Sequence, residues 1–197
     1  VAFGLYDDLR PAIHMMKFEG VPALARPLGA LLAQAMLSLQ PDSPEALTVV
    51  AVPLFRGKRS YNQSVLLAES ALKRLQVLAP GWRLRLASGV LVRARKTDSQ
   101  FLLSPAQRRQ NVRGAFAVRG RVSGQDVLLV DDVYTTGATV AECTSVLLRA
   151  GANSVRVATL GRAGRDTAVR WQPERKARAG AHTVRSNDFT ASFTAIP

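Results

Sequence analysis

Apolar residues along this chain recur in two distinct patterns. Tyr6, Leu9, Ile13 and Met16 fall at helical spacing and predict a short amphipathic helix within residues 1–20, stopped by Gly20. After Val21-Pro22, Leu24, Leu28, Leu31, Leu32, Ala35, Met36 and Leu39 predict a second helix that tolerates Pro27 near its start, and the loop Gln40 to Pro44 closes it. A third helix is expected from about Ser64 to Leu78, with Val65, Ala68, Leu72 and Leu75 inward. Ser104-Pro105-Ala106-Gln107 has the form of a capping box with proline at the first helical position, so a short helix should follow it. Between the helices lie continuous apolar runs of the kind that fill a sheet covered on both faces: Thr48 to Val52, Val127 to Val130 and Ser154 to Leu160. Leu84 to Val92 should add one or two strands and Ala115 to Val118 another. Runs alternating with helices predict an α/β fold with a mainly parallel central sheet flanked by helices.

Composition fits that reading and narrows it. The 197 residues are 47% apolar, enough for one substantial core. Three stretches are expected: an N-terminal helical segment over 1–40, a core over 41–162 and a basic, disordered tail over 163–197. No apolar run is long enough to span a membrane, and Asp7, Asp8 and Arg10 interrupt any signal-peptide core. Whether sequence precedes Val1 is open. The single cysteine, Cys143, excludes an internal disulfide framework, and a cytoplasmic setting is expected. His14 and His182 stand without neighbouring ligands, so neither is read as a metal ligand or base.

Charge is the least ordinary feature. The formal net charge is +13, and its excess lies in two segments, Arg83 to Arg121 at +9 and Arg162 to Arg185 at +5. Such fields attract polyanions, whether a pyrophosphate-bearing sugar or a nucleic-acid backbone. Aromatic residues make up only 6% of the chain, and no stacking platform for single strands is evident.

The chemistry concentrates where the run Val127 to Val130 meets Asp131-Asp132-Val133-Tyr134-Thr135-Thr136-Gly137-Ala138-Thr139. A strand-turn-helix junction offers unpaired amides at the positive end of a helix dipole, suited to a phosphate. Thr135, Thr136 and Thr139 add hydroxyl donors, Ala138 adds no bulk, and Gly137 permits close backbone approach. Asp131 and Asp132, at the carboxyl end of the strand, suit the vicinal hydroxyls of a ribose. A Walker loop is excluded because Ala138 stands where its lysine would be. Arg56, Lys58 and Arg59 surround Gly57 just past another strand end and read as a second anion site, for pyrophosphate. Arg93, Arg95 and Lys96 lie in a polar stretch without periodicity, read as a mobile loop that could close over substrate.

The acid pair with its threonine turn resembles the binding motif for phosphoribosyl pyrophosphate (PRPP) of type I phosphoribosyltransferases along its whole length. Together with Tyr6 to Gly20 including Lys17-Phe18, Val52-Pro53-Leu54, Arg59 to Gln63, Arg93 to Gln100 and Arg108 to Val112, it resembles the ComF-type, competence-associated members of that class over roughly residues 5–162. The resemblance implies that Asp131 and Asp132 hold the ribose hydroxyls, that Thr135 to Thr139 wrap the 5-phosphate, and that Mg²⁺ enters with PRPP. It implies a transferase that displaces pyrophosphate at the ribose C1 with an unspecified acceptor, or a weakly catalytic or non-catalytic relative acting in DNA uptake or single-stranded DNA handling. A PRPP-sensing regulator is a third reading. Single-stranded DNA, competence proteins and a second copy of the chain are the partners to consider. Acceptor specificity in this class comes from a hood, here residues 1–40. The cysteine-rich zinc ribbon common in the class has no counterpart in these residues, so no metal held by the protein is expected.

Overall fold

The computed structural model describes residues 1–55, 60–97 and 104–163. Its strands are β1 (Ala2–Leu5), β2 (Ala46–Ala51), β3 (Arg83–Leu86), β4 (Leu91–Arg93), β5 (Phe116–Val118), β6 (Asp126–Tyr134) and β7 (Ser154–Arg162). Its α-helices are α1 (Tyr6–Phe18), α2 (Ala25–Leu37), α3 (Gln63–Leu78), α4 (Pro105–Val112) and α5 (Ala138–Arg149).

Five strands form one sheet in the order β1-β7-β6-β2-β3, all pairings parallel, and β4 pairs antiparallel with β5 in a separate ribbon. Alternate residues of the central strands feed two cores, the reason those strands read as unbroken apolar runs. Val49, Leu128 and Val130 face Leu32, Met36, Leu67 and Leu75 of α2 and α3, while Val50, Val127 and Leu129 face Cys143 and Leu147 of α5. From β2 the chain steps outward to β3, whereas from β6 it steps the other way to β7. Right-handed crossovers in opposite directions put α3 and α5 on opposite faces, which opens a crevice at the carboxyl ends of β2 and β6.

The expected helices and strands form with some shifts. α3 turns Leu67 and Ala71 fully inward, while Val65 and Leu72 sit at the margin of the buried face. The capping box is complete: Ser104 Oγ accepts from the Gln107 amide at 3.3 Å, and Gln107 Oε1 accepts from the Ser104 amide at 2.8 Å. The N-terminus differs. Its first residues form β1, which lies along β7 with Ala2 opposite Thr159 and Gly4 opposite Gly161, and the helix begins only at Tyr6. Four residues on a sheet edge give too short an alternation to separate from the helical pattern that follows. The 163–197 tail expectation falls outside the described residues apart from Ala163, whose amide donates to the Tyr134 carbonyl at 2.9 Å.

α2 and α3 pack at Gly29, where an added Cβ would lie 2.4 Å from the Ser70 Cβ. Gly29→Ala should therefore destabilise the fold by about 1–3 kcal/mol, since an overfilled contact must push two helices apart. Urea denaturation of that variant beside Ser70→Gly/Gly29→Ala checks this: relief of the contact should recover much of the loss.

Candidate functional site

β6 carries Asp131 and Asp132 into the crevice. The strand runs on to Tyr134, so both acids sit inside it, with Asp131 in register with Thr159 of β7. Both are buried. The Asp132 Oδ2 accepts from Gln63 Nε2 at 2.9 Å and pairs with Lys17 Nζ at 2.7 Å. The Asp131 Oδ1 accepts from Ser64 Oγ at 3.1 Å and from the Asp132 amide at 2.9 Å. Among the described residues no donor meets Asp131 Oδ2 or Asp132 Oδ1, so each acid keeps one open oxygen.

Burial, and secondarily the Asp132 charge beside it, pushes the Asp131 carboxyl up from 3.8 to about 7; Lys17, the Asp132 amide and Ser64 act in the opposite direction. Between about pH 4 and about pH 7 the folded state thus holds a proton on Asp131 that the unfolded chain has released. Stability from this group is full below about pH 4 and falls as pH rises through about 7. Thermal melts from about pH 5 to about pH 8.5 should show that decline, and Asp131→Asn should remove most of it while stabilising the protein at the alkaline end.

The turn after β6 prepares the start of α5. Gly137 is the N-cap, with φ 74° and ψ 0°, and its carbonyl accepts from the Ala141 amide at 2.8 Å. The Ala138 amide reaches Thr136 Oγ1 only at 3.4 Å. Thr135 is exposed, Thr136 and Thr139 are half-buried, and Ala138 is buried. The segment therefore places hydroxyls and first-turn amides beside the acid pair at a helix N-terminus.

Opposite this turn lies the segment that follows β2. Asn62 staples its far end: Nδ2 donates to the Val52 carbonyl at 3.0 Å, and Oδ1 caps the Ser64 amide at 2.9 Å. The Tyr61 hydroxyl donates to the Met16 carbonyl near the end of α1. Arg56, Lys58 and Arg59 lie outside the described residues. Their flanks, Phe55 and Ser60, border a cavity of about 350 Å³ that is also walled by Tyr61, Asn62, Leu91 and Arg93.

Arg93, Arg95 and Lys96 have separate settings. Arg93 lies 5.2 Å over the Phe116 ring and donates to the Thr97 hydroxyl, while its buried Nε has no acceptor among the described residues. Burial lowers its guanidinium from the ordinary arginine value, and Cys143 and Asp131 pull it back. Arg95 Nη2 instead donates to the carbonyls of Asn111 and Arg113 at 3.0 and 2.9 Å, tied to the end of α4. Lys96 is exposed. Cys143 is a core residue whose thiol burial pushes well above its ordinary value, so it is unreactive. His14 is exposed, its ring tilted 40° to that of Phe18 with centroids 4.8 Å apart, and its Nδ1 lies 3.3 Å from Glu19 Oε1.

Sequence reasoning assigned no role to Lys17, Gln63 or Ser64. They reach the acids from α1 and the first turn of α3, and no local pattern reports a contact made across the sheet. Among the described residues there is no group of three or more His, Cys, Asp or Glu that could hold a metal, and no helix is long and apolar enough to cross a membrane.

Residues 62–178 match the phosphoribosyl transferase domain family. The chain is 36% identical over 154 residues to the DNA utilization protein YhgH of Escherichia coli, covering 76% of this chain and 65% of that protein. It thus spans about two thirds of the length of that relative. It is 33% identical over 174 residues to Competence protein F of Haemophilus influenzae, covering 83% of this chain and 72% of the other. Solved structures that the chain matches include a Trypanosoma cruzi hypoxanthine phosphoribosyltransferase, at 13% identity and TM-score 0.44 over 72% of this chain and 65% of that one. Another is the phosphoribosylpyrophosphate synthetase of Mycobacterium smegmatis, at 21% identity and TM-score 0.39 over 71% and 35%. With its parallel five-stranded sheet, acid pair and threonine turn at the crevice, the chain belongs to the phosphoribosyltransferase domain family, of type I fold, among its ComF-type competence-associated members.

Proposed function

We propose that the chain binds PRPP with Mg²⁺ and transfers the phosphoribosyl group to an acceptor, releasing pyrophosphate. The observation that carries this reading is the pair of open carboxylate oxygens, Asp131 Oδ2 and Asp132 Oδ1, beside a threonine turn at a helix N-terminus. The acids accept hydrogen bonds from the vicinal ribose hydroxyls, and the amides and hydroxyls of Thr135, Thr136, Gly137, Ala138 and Thr139 take the 5-phosphate. Arg56, Lys58 and Arg59 supply charge for the pyrophosphate, with Arg93 at the wall of the adjacent cavity and its unpaired Nε in support. Arg95 and Lys96 extend that positive field.

The acid pair fits a magnesium carried in on the sugar, because its two open oxygens are too few to hold an ion alone. Bound this way, the ion would supply charge neutralisation on the diphosphate. The chain's own residues fix the ribose and hold the leaving group. A lone pair of the acceptor forms the new bond to C1 as the bond from C1 to the pyrophosphate oxygen breaks, and that electron pair leaves with the pyrophosphate. No covalent bond to the protein is required, so rate enhancement comes from positioning and preorganised charge. Pyrophosphate release from PRPP in the presence of purines, pyrimidines or ammonia tests the reaction.

The relatives' names, DNA utilization protein and Competence protein F, favour a second reading in which the protein serves DNA handling; in it PRPP is bound with little or no turnover, in a cytoplasmic setting. The basic segment Arg83 to Arg121 suits a polyanion. Tight PRPP binding without pyrophosphate release, together with salt-dependent retention of single-stranded DNA, would favour this reading over transfer.

A further inference from the structure

The acid pair has one direct cationic partner among the described residues, and it comes from the N-terminal helix. Lys17 Nζ lies 2.7 Å from Asp132 Oδ2, with its side chain only 19% exposed. Gln63 donates to the same oxygen. Ile13 and Met16, on the turn of α1 that carries Lys17, are fully buried, and the Met16 carbonyl receives the Tyr61 hydroxyl. The end of α1 is thereby fixed both to the core and to the loop after β2.

We propose that Lys17 is a positioning residue of the sugar-phosphate site: with Gln63 it fixes Asp132 Oδ2, turns the open oxygens of the pair towards the vicinal hydroxyls, and supplies the charge that lets two adjacent buried carboxylates share one site. This rests on the ribose-phosphate reading given above. Two carboxylates taken out of water repel each other and resist ionising, and one ammonium at ion-pair distance offsets both effects. Among the described residues the other titratable groups around the pair are Arg93 on β4 and Cys143 on α5, both on the Asp131 side. Among the described residues Lys17 is the charged group that touches Asp132, and it comes with Gln63 from the opposite face. A lysine serving only to tie α1 to the sheet would not need to end on one of the two acids that line the crevice.

The test compares wild type, Lys17→Met and Lys17→Arg in the full chain, with ribose 5-phosphate as probe, from about pH 6 to about pH 8.5. The ligand's phosphate titrates alike for every variant, so differences belong to the protein. Lys17→Met should weaken binding about tenfold or more at neutral pH and move the midpoint of the pH profile up by about one unit. Lys17→Arg should stay within about threefold of wild type. Carbon-detected titration of the Asp131 carboxyl without ligand should show the same upward displacement in Lys17→Met. If that variant does not fold, Lys17→Gln, neutral but still a donor, should give the same displacement. A Met or Gln variant with lowered melting temperature but unmoved affinity and carboxyl titration would overturn the proposal and leave the ribose-phosphate site standing. Wild type that fails to bind ribose 5-phosphate at any pH would overturn both.

Discussion

Asp132→Asn is expected to weaken PRPP binding about a hundredfold while leaving any affinity for single-stranded DNA within about threefold. In the proposed complex the exchange removes a charged acceptor from the ribose hydroxyls, and hydrogen bonds to charged groups contribute roughly 1.5–3 kcal/mol each. It also strips Lys17 of its partner at 2.7 Å. The ammonium then sits largely out of water without its direct ion-pair partner, so a fall in melting temperature should accompany the loss of binding. A DNA contact made through the basic segments does not depend on this carboxylate. Isothermal titration with PRPP and a salt-dependent DNA retention assay, run on one preparation, check both halves. Equal losses in the two assays would show that Asp132 supports the fold and has no specific part in sugar binding.

Gly137→Ala should be nearly as damaging, for two separable reasons. At φ 74° an alanine is strained by about 1–2 kcal/mol. Its Cβ would also fall 2.3 Å from the Tyr134 hydroxyl oxygen and 2.7 Å from Cζ, so the ring must leave its place at the end of β6. Since Gly137 caps α5, the displacement reaches the amides proposed for the 5-phosphate. Binding of ribose 5-phosphate should drop at least tenfold, a loss of about 1.4 kcal/mol. Adding Tyr134→Ala should restore part of that loss by removing the collision, while the backbone strain remains. Full recovery in the double variant would assign the whole effect to the ring.

The centre of the fold was readable because its signals are local. Val127 to Val130 is an unbroken apolar run, and the residues after it carry their chemistry in sequence, so strand, acids, turn and helix follow one another without tertiary information. Ser104 and Gln107 declared a helix start in the same way, three residues apart. What the sequence hid was built by distant packing. β1 is four residues on a sheet edge, legible only once β7 is in place beside it. Lys17 looks like one more charge at the end of an amphipathic helix, and only the docking of α1 against β1 and β7, next to β6, makes it a partner of Asp132. Arg93 and Arg95, two positions apart in one basic stretch, part company for the same reason: the first is held over Phe116 near the acid pair, the second is tied to the carbonyls closing α4.

The crevice at the carboxyl ends of β2 and β6 is the proposed PRPP site. Calorimetric titration of the full chain with PRPP and Mg²⁺ tests it most directly, with ribose 5-phosphate as competitor. The predicted result is one saturable site per chain from which ribose 5-phosphate displaces PRPP. Absence of saturable heat, or binding that excess ribose 5-phosphate leaves untouched, would contradict it.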